Sequence, residues 1–278
     1  MSPEGLVRAR HMITRRFYDV WRLKLQPGDV ADMPELEIKW EKGKEFRLPK
    51  PYRRRYTPAE MLWWKTRVKE LCRVGVLRPS NCGQLSPSNL RPKKRDGVIL
   101  VDDFRLLVDM REVNKGVKPM HFGLSKLDTI VHHLAGSTCF AKGDKVNGYW
   151  QCGLKEESRK YTAFDSPVGA FEHCRAPQGF TNSAPWFQKG MEGVLRDLLW
   201  IAVLLYLDDS LVHAKTEKEL LDALEKYFTQ LEKHNIKLHP AKFTLFAKAL
   251  TWCGKQVSAN GIRRTTPHRN GAQYGRPG

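Results

Sequence analysis

Residues 199–220 read LWIAVLLYLDDSLVHAKTEKEL. An uncharged run from Leu199 ends in Tyr206, two aspartates stand side by side at 208 and 209, and apolar residues resume at Leu211. A tight hairpin turn prefers Asn-Gly or Asp-Gly, where one residue takes positive φ. No glycine flanks Asp208-Asp209. Adjacent carboxylates at a strand end repel each other unless a cation lies between them. A local rule broken beside an apolar strand points to a functional site. The pattern predicts strands over 200–206 and 210–214, with both aspartates at the bend.

One carboxylate pair rarely makes a metal site, because magnesium takes several hard oxygen ligands. A second strand-end aspartate is present in FAKGDKVNGYWQ, residues 140–151, where Asp144 closes a short apolar strand. It lies 64 residues before Asp208, room for two strands and a helix. If that unit folds back, Asp144 meets Asp208, and two ions about 3.5–4 Å apart clamp the oxygens of a phosphoryl transfer. The alternative is a solvated Asp-Asp turn and a surface aspartate.

The chain has 278 residues, with 48 Lys and Arg against 30 Asp and Glu, a net charge of +18. That surplus favours a polyanionic partner, nucleic acid above all. A hydrophobic content of 41% suffices for a real core and excludes a disordered chain. The six cysteines form no C-x-x-C pair, which argues against zinc, and scattered thiols fit a reducing intracellular compartment. No apolar run is long enough to span a membrane.

Residues 1–47 are polar, basic and without period, and predict an extended N-terminal arm or linker. Thr57, Pro58 and Glu60 then give an N-cap, a first-turn proline and a capping-box glutamate, with Gly75 to close the helix. PKKRDGVILVDDFRLLVDMR, residues 92–111, predicts a hairpin with a basic tip. Ser125 and Asp128 cap a predicted helix running to Leu134. KYTAFDSPVGAFEHCRAPQGF, residues 160–180, predicts two strands around Pro-Val-Gly. Asn182 or Ser183 caps a helix holding Phe187, Met191 and Leu195, and Thr216 with Glu219 boxes the start of another. One or two short strands follow His239. The tail over 263–278 is basic and unpatterned, and predicts disorder. Strands that come in hairpins between helices make an α+β fold, an antiparallel sheet backed by helices.

These segments resemble a known family. LLYLDDSLVHAKT resembles the Tyr-Xaa-Asp-Asp hairpin of reverse transcriptases, above all those of gypsy-type long-terminal-repeat retrotransposons. LSPSNLRPKKRDG with FRLLVDMREVNK looks like that family's fingers hairpin. CFAKGDKVNGYWQCGLKEESRKYTAF resembles its first catalytic block, and FEHCRAPQGFTNSAPWFQKGM its template- and nucleotide-binding block. LEKHNIKLHPAKFTLFAKALTWCGKQVSANGI is similar to the end of the palm and the primer grip. The blocks stand in family order over residues 48–262.

The resemblance implies a right-hand polymerase fold of fingers and palm with the thumb largely missing, and RNA-directed DNA synthesis from dNTP on a primed RNA or DNA template. It implies two Mg²⁺ ions, with Mn²⁺ as a substitute, on Asp144, Asp208 and Asp209, the last the less direct ligand. Lys94 and Arg105 match the family's triphosphate-binding fingers residues. Tyr149 matches the ring beneath the incoming sugar, with a core tyrosine as the other reading and Trp150 as the other gate. Gln178 matches the glutamine of the nucleotide pocket. Tyr206 matches a residue near the primer end, Pro185 the template-side helix start, and Trp252 and Gly254 the primer grip. Trp252 reads equally as core.

The chain departs from the family at the long fingertip, at Gly143 before the first aspartate and at Ser210 after the pair, both places where an apolar residue is usual. Upstream protease and downstream RNase H and integrase domains are expected in a full-length element. A catalytically inactive nucleic-acid-binding remnant is the rival reading. A metal nuclease ranks lower, for want of a His-rich or further acidic cluster.

Overall fold

Short helices and hairpin strands alternate along the chain in the computed structural model, which describes residues 1–44, 46–48, 54–95, 98–120 and 131–264. Helix α1 (Pro3–His11) opens it, and α2 (Pro58–Arg73) follows an irregular stretch. Strand β1 (Leu77–Pro79), the long hairpin of β2 (Ser88–Arg95) and β3 (Val98–Val108), and the short α3 (Arg111–Gly116) come next. Then run β4 (Cys139–Asp144), α4 (Glu156–Arg159), the hairpin of β5 (Phe164–Ser166) and β6 (Gly169–His173), and α5 (Ser183–Val194). The hairpin of β7 (Val203–Tyr206) and β8 (Asp209–Ala214) leads into α6 (Glu217–Lys233). Four short strands follow: β9 (Thr244–Ala247), β10 (Ala249–Trp252), β11 (Lys255–Ser258) and β12 (Gly261–Arg264).

The central sheet has the order β7-β8-β4-β9, every neighbour antiparallel. Side chains alternate between its two faces. One face sends Ala141, Val203, Leu205 and Val212 into the main core, against Phe187 and Met191 of α5 and Leu220, Leu224, Tyr227 and Phe228 of α6. The other face sends Phe140, Leu204 and Leu211 against Trp252 and Val257. Those two belong to a separate sheet, β10-β11-β12, which roofs only part of this second face. Asp144, Tyr206 and Asp209 lie on the same face and stay partly exposed. A third cluster joins Trp64, Val68 and Leu71 of α2 to Leu90, Phe104 and Phe164, and so fastens the β2–β3 hairpin.

The two predicted capping boxes are present. Thr57 Oγ1 accepts the Glu60 N–H while the Glu60 carboxylate accepts the Thr57 N–H, and Thr216 with Glu219 repeats the arrangement. Such caps each contribute about 0.5–2 kcal/mol. Asn182 stands at the N-cap of α5 but puts its side chain elsewhere: its Oδ1 accepts the Met120 N–H and its Nδ2 donates to the Lys118 carbonyl.

The predicted N-terminal arm is corrected by the structure. Residues 1–44 are packed on the molecule, with Ala9, Met12, Phe17, Val20, Leu25, Ala31, Leu36 and Ile38 buried. The Phe17 ring lies 5.6 Å from that of Phe228 on α6. Leu238 N–H donates to the Val20 carbonyl at 2.7 Å, and Arg22 N–H to the Leu238 carbonyl at 2.9 Å. The buried Lys237 ammonium sits on Asp19 Oδ2 at 2.6 Å. Helical turns run from Pro3 to Val20, and beyond them the segment is a strap with little regular structure, whose apolar residues follow neither helical nor strand spacing, so period-based reading passes over them.

Other boundaries shift. The first strand of the Asp-Asp hairpin begins at Val203, because Val203 N–H turns back to the Leu198 carbonyl. Asp209 opens β8, so the bend is Leu207-Asp208. Four short strands, not one or two, follow His239, and the last, β12, runs to Arg264, two residues into the tail predicted as disordered. Residues 265–278 lie outside the described part, as does most of the helix predicted from Ser125, of which Val131–Leu134 is seen as a 3₁₀ turn.

Phe17→Ala is expected to destabilise the fold by about 3–5 kcal/mol, the usual cost of emptying a buried aromatic site. Urea unfolding checks this; a strap that were only a loose arm would leave the midpoint unchanged.

Candidate active site

Register places the first two aspartates. Asp144 is the last residue of β4 and Asp209 the first of β8, and they are direct partners across the strands. Antiparallel partners have Cα atoms about 4.5–5.5 Å apart. Asp208 stands one residue away in the two-residue loop that Tyr206 and Asp209 close. The three predicted aspartates therefore share one end of the sheet.

The loop is strained. Leu207 has φ +55°, a left-handed conformation that costs a residue with a Cβ roughly 1–2 kcal/mol. Gln188 of α5 holds it in place. The buried Gln188 accepts the Leu207 N–H on Oε1 at 2.6 Å and donates from Nε2 to Glu192 at 2.8 Å. On the other side the chain leaving β4 lies against the loop at Gly148, where a Cβ would come within 3.3 Å of Asp208 Cβ and 3.4 Å of the Phe187 ring. A side chain there would push the loop away.

Charge is concentrated here. Burial raises the Asp209 carboxyl above its ordinary pKa; Lys142 opposes this, and the negative charges of Asp208 and Asp144 add to it. Lys142 lies 3.5 Å from Asp209 Oδ1, and Lys242 donates to Asp144 Oδ1 at 2.9 Å. Beneath the turn Lys145 is 1% exposed. Burial pushes its ammonium down to about 8 against the pull of Asp208, Asp209 and Asp144. Among the described residues no three carboxylate, imidazole or thiol groups stand as a ready metal shell. The donor set nonetheless fits a hard divalent cation in type and backbone placement: three carboxylates at one sheet end, two of them now turned to lysines that a cation would displace.

Tyr149 belongs to this end of the molecule. It is half-buried in the turn Gly148–Gln151, with its ring edge-on to Phe187 at 5.6 Å. Burial, and then the charge of Asp208, raise its phenol pKa. Tyr206 is partly buried opposite Asp209 and packs toward the Trp252 cluster. Trp252 is fully buried there, so its ring is core. Gly254, at φ +72°, and Cys253, at φ +47°, form the tight turn between β10 and β11. Burial, and then the charge of Asp209, push the Cys253 thiol up to about 12.

The remaining predicted residues lie farther out. Arg105 is exposed on β3 opposite Arg91. Lys94 pairs through its backbone with Ile99, and its side chain lies outside the described part. Gln178 is exposed on the turn before α5, and Pro185 is the third residue of that helix. None of the described side chains among these is hydrogen-bonded or ion-paired to the aspartates.

Sequence reasoning passed over Gln188, Gln151 and Cys253. Gln151 is fully buried and donates to the carbonyls of Val146 and Lys237 while its Oε1 accepts the Lys237 N–H at 2.7 Å. It ties the loop after Asp144 to the segment that the N-terminal strap grips. Only an isolated polar residue on an apolar helix face, as at Gln188, could have signalled such a role.

Residues 92–257 match the family model described as reverse transcriptase (RNA-dependent DNA polymerase). The chain is 31% identical over 199 residues to the retrovirus-related Pol polyprotein from transposon 297 of Drosophila melanogaster, covering 72% of this chain and 19% of that protein. It is 28% identical over 260 residues to the Pol polyprotein from transposon 412 of the same organism, covering 94% and 21%. The chain thus spans about a fifth of the length of these relatives. Among solved structures it superposes on the foamy viral protease-reverse transcriptase in complex with RNA/DNA hybrid, with a TM-score of 0.80 and 22% identity over 96% of this chain and 34% of that one. The same viral protein in a dRH form with double-stranded DNA gives a TM-score of 0.81 at 21% identity, over 96% and 45%. At such identities the likeness establishes the fold, the fingers and palm of a polymerase. No helix among the described residues is long and apolar enough to cross a membrane.

Gln188→Leu is expected to cost about 1–3 kcal/mol, since it strands the Leu207 N–H without an acceptor. Urea unfolding gives the global effect, and the Leu207 amide should exchange with deuterium faster than in the parent. Unchanged exchange would show that the loop holds without Gln188.

Proposed function

Because the chain belongs to the reverse transcriptase family, we propose that it is the fingers and palm of a retrotransposon Pol polyprotein and extends a DNA primer on an RNA or DNA template. One observation carries this: Asp144 and Asp209 are register partners at the partly open end of the palm sheet, with Asp208 in the turn between β7 and β8. Asp144 and Asp208 would hold two Mg²⁺ ions, or Mn²⁺, with Asp209 the less direct ligand. When bound, such ions ease ionisation of the primer 3′-hydroxyl and neutralise the triphosphate.

The chain's own residues do the rest. Lys142 and Lys242 give up Asp209 and Asp144 and become free to face phosphate. Arg105 and Lys94, on the β2–β3 hairpin, bind the triphosphate of the dNTP, Arg105 by a planar two-pronged contact and Lys94 as a point charge. Gln178 lines the nucleotide pocket, and Pro185 starts the helix on the template side. The Tyr149 ring excludes a 2′-hydroxyl by overlap. The primer end lies between Tyr206 and the Cys253-Gly254 turn, which presents backbone while the buried Trp252 anchors it. The +18 charge supports backbone binding of the template and primer, with affinity that falls steeply as salt rises. The other polyprotein domains, protease, RNase H and integrase, are the partners in a full-length element. The rival reading, a silent nucleic-acid-binding remnant, draws on the lysines that now occupy Asp144 and Asp209.

Primer extension on an RNA template decides between them. Asp208→Asn should lower the rate by at least about a hundredfold, ~2.7 kcal/mol, while leaving duplex binding in place. Binding without extension in the parent chain would establish the remnant instead.

Sugar choice gives a second test. Tyr149→Val should raise rNTP incorporation relative to dNTP by about tenfold, ~1.4 kcal/mol of lost discrimination. A variant that uses dNTP normally and still rejects rNTP would move the gate to another residue, Trp150 first.

A further inference from the structure

The two places where the chain departs from its family around the aspartates, Gly143 and Ser210, face each other across β4 and β8. Alternation puts both on the helix-covered face, behind the aspartates. Lys145 turns into the same face, and its ammonium donates a hydrogen bond to Ser210 Oγ. Its backbone N–H reaches the Asp208 carbonyl at 3.4 Å, and it pairs with Leu238 through an isolated bridge. The Tyr227 hydroxyl of α6, also fully buried, lies over Gly143 without a hydrogen-bond partner among the described residues. A Cβ on residue 143 would come within 3.2 Å of that hydroxyl and 3.5 Å of Leu238. Glycine at 143, hydroxyls at 210 and 227, and the lysine thus form one buried polar unit.

A buried ammonium is costly unless negative charge and hydrogen bonds offset the loss of water. One hydrogen bond to a neutral hydroxyl is little compensation. The anions around Lys145 are Asp144, the preceding residue, Asp208, whose carbonyl its backbone N–H approaches, and Asp209, which adjoins its partner Ser210. Lys142 and Lys242 serve the same carboxylates, but their side chains are 25% and 59% exposed and can swing into solvent. Lys145 has no such freedom.

We propose that Lys145 is a built-in counter-cation that holds the Asp144, Asp208 and Asp209 cluster together before any metal arrives, seated in a socket of Gly143, Ser210 and Tyr227. Its charge opposes a divalent cation entering from the open face, so it also sets how much metal the site requires. That second consequence rests on the reading of the aspartates as metal ligands; the first does not.

The test is a double-mutant cycle on metal-free protein, Lys145→Met with Asp208→Asn, read by urea unfolding. A counter-cation makes Lys145→Met less than half as costly once Asp208 is neutral. Equal cost in both backgrounds overturns the proposal and leaves Lys145 a packing residue. If Lys145→Met does not fold, the variant Lys145→Leu/Ser210→Val/Tyr227→Phe replaces every polar group of the socket with apolar ones, a change that buried polar clusters often tolerate. In that variant Asp208→Asn should stabilise the metal-free fold more than it does in the parent, and an equal effect overturns the proposal. Mn²⁺ titration followed by thermal unfolding supplies the metal arm. The apolar variant should reach half its Mn²⁺-induced shift at a concentration at least fivefold lower than the parent, and an equal or higher concentration overturns the metal-setting role. If Mn²⁺ shifts neither protein, the metal reading of the aspartates fails, and the unfolding cycle still decides the role of Lys145.

Discussion

The register between β4 and β8 is the constraint on which the site depends. Asp144 meets Asp209 only because six consecutive pairs, from Cys139 with Ala214 onward, are in step. A slip of one residue turns every side chain of a strand to the opposite face. Here both faces are committed: Ala141 and Val212 pack against helices, Phe140 and Leu211 against the Trp252 cluster. A slipped β8 would drive Asp209 toward Tyr227 and bring Ser210 out to solvent. The apolar packing behind and beside the strands is therefore what aims the carboxylates, and the aspartates contribute little to their own placement.

The electrostatics follow from that placement. Burial, with the negative charges of Asp208 and Asp144 beside it, raises the proton affinity of Asp209, and lysines stand on both sides of the sheet. The same crowding that makes the metal-free site costly is what favours a divalent cation there. Strain at Leu207 belongs to the same account. A loop of Leu-Asp in place of Asn-Gly sacrifices local comfort and is held by Gln188 from outside the hairpin. Strain stored at functional sites is commonly compensated in this way by the surrounding structure.

Much of this was legible in the sequence, and the limits have physical causes. The capping boxes at Thr57 and Thr216 were readable because a cap is a local interaction between residues three apart. The strands ending at Asp144 and flanking Asp208-Asp209 were readable because an apolar run broken by carboxylates is a local contradiction. The bend was misplaced by one residue because leucine does not advertise a left-handed conformation. The N-terminal strap was misread as an arm because its buried residues beyond Val20 take their places from partners distant in sequence, such as Gly153 for Leu36 and Ser158 for Ile38, and not from a period of their own. Gln188 and Gln151 escaped notice for the same reason: each meets partners distant in sequence.

The strap also has a bearing on how the molecule comes into being. Asp19 and Lys237, 218 residues apart, join in one of its contacts, and the backbone of Val20 and Arg22 pairs with Leu238 beside them. A growing chain emerges N-terminus first, so residues such as Phe17 and Val20 leave the ribosome long before the surface that buries them exists. Contacts of such separation fold slowly and leave apolar surface open in the meantime. The palm sheet lacks β9 and the 236–239 segment for the same interval. The chain must therefore be made as far as Ala247 before β4, and Asp144 with it, is flanked on both edges.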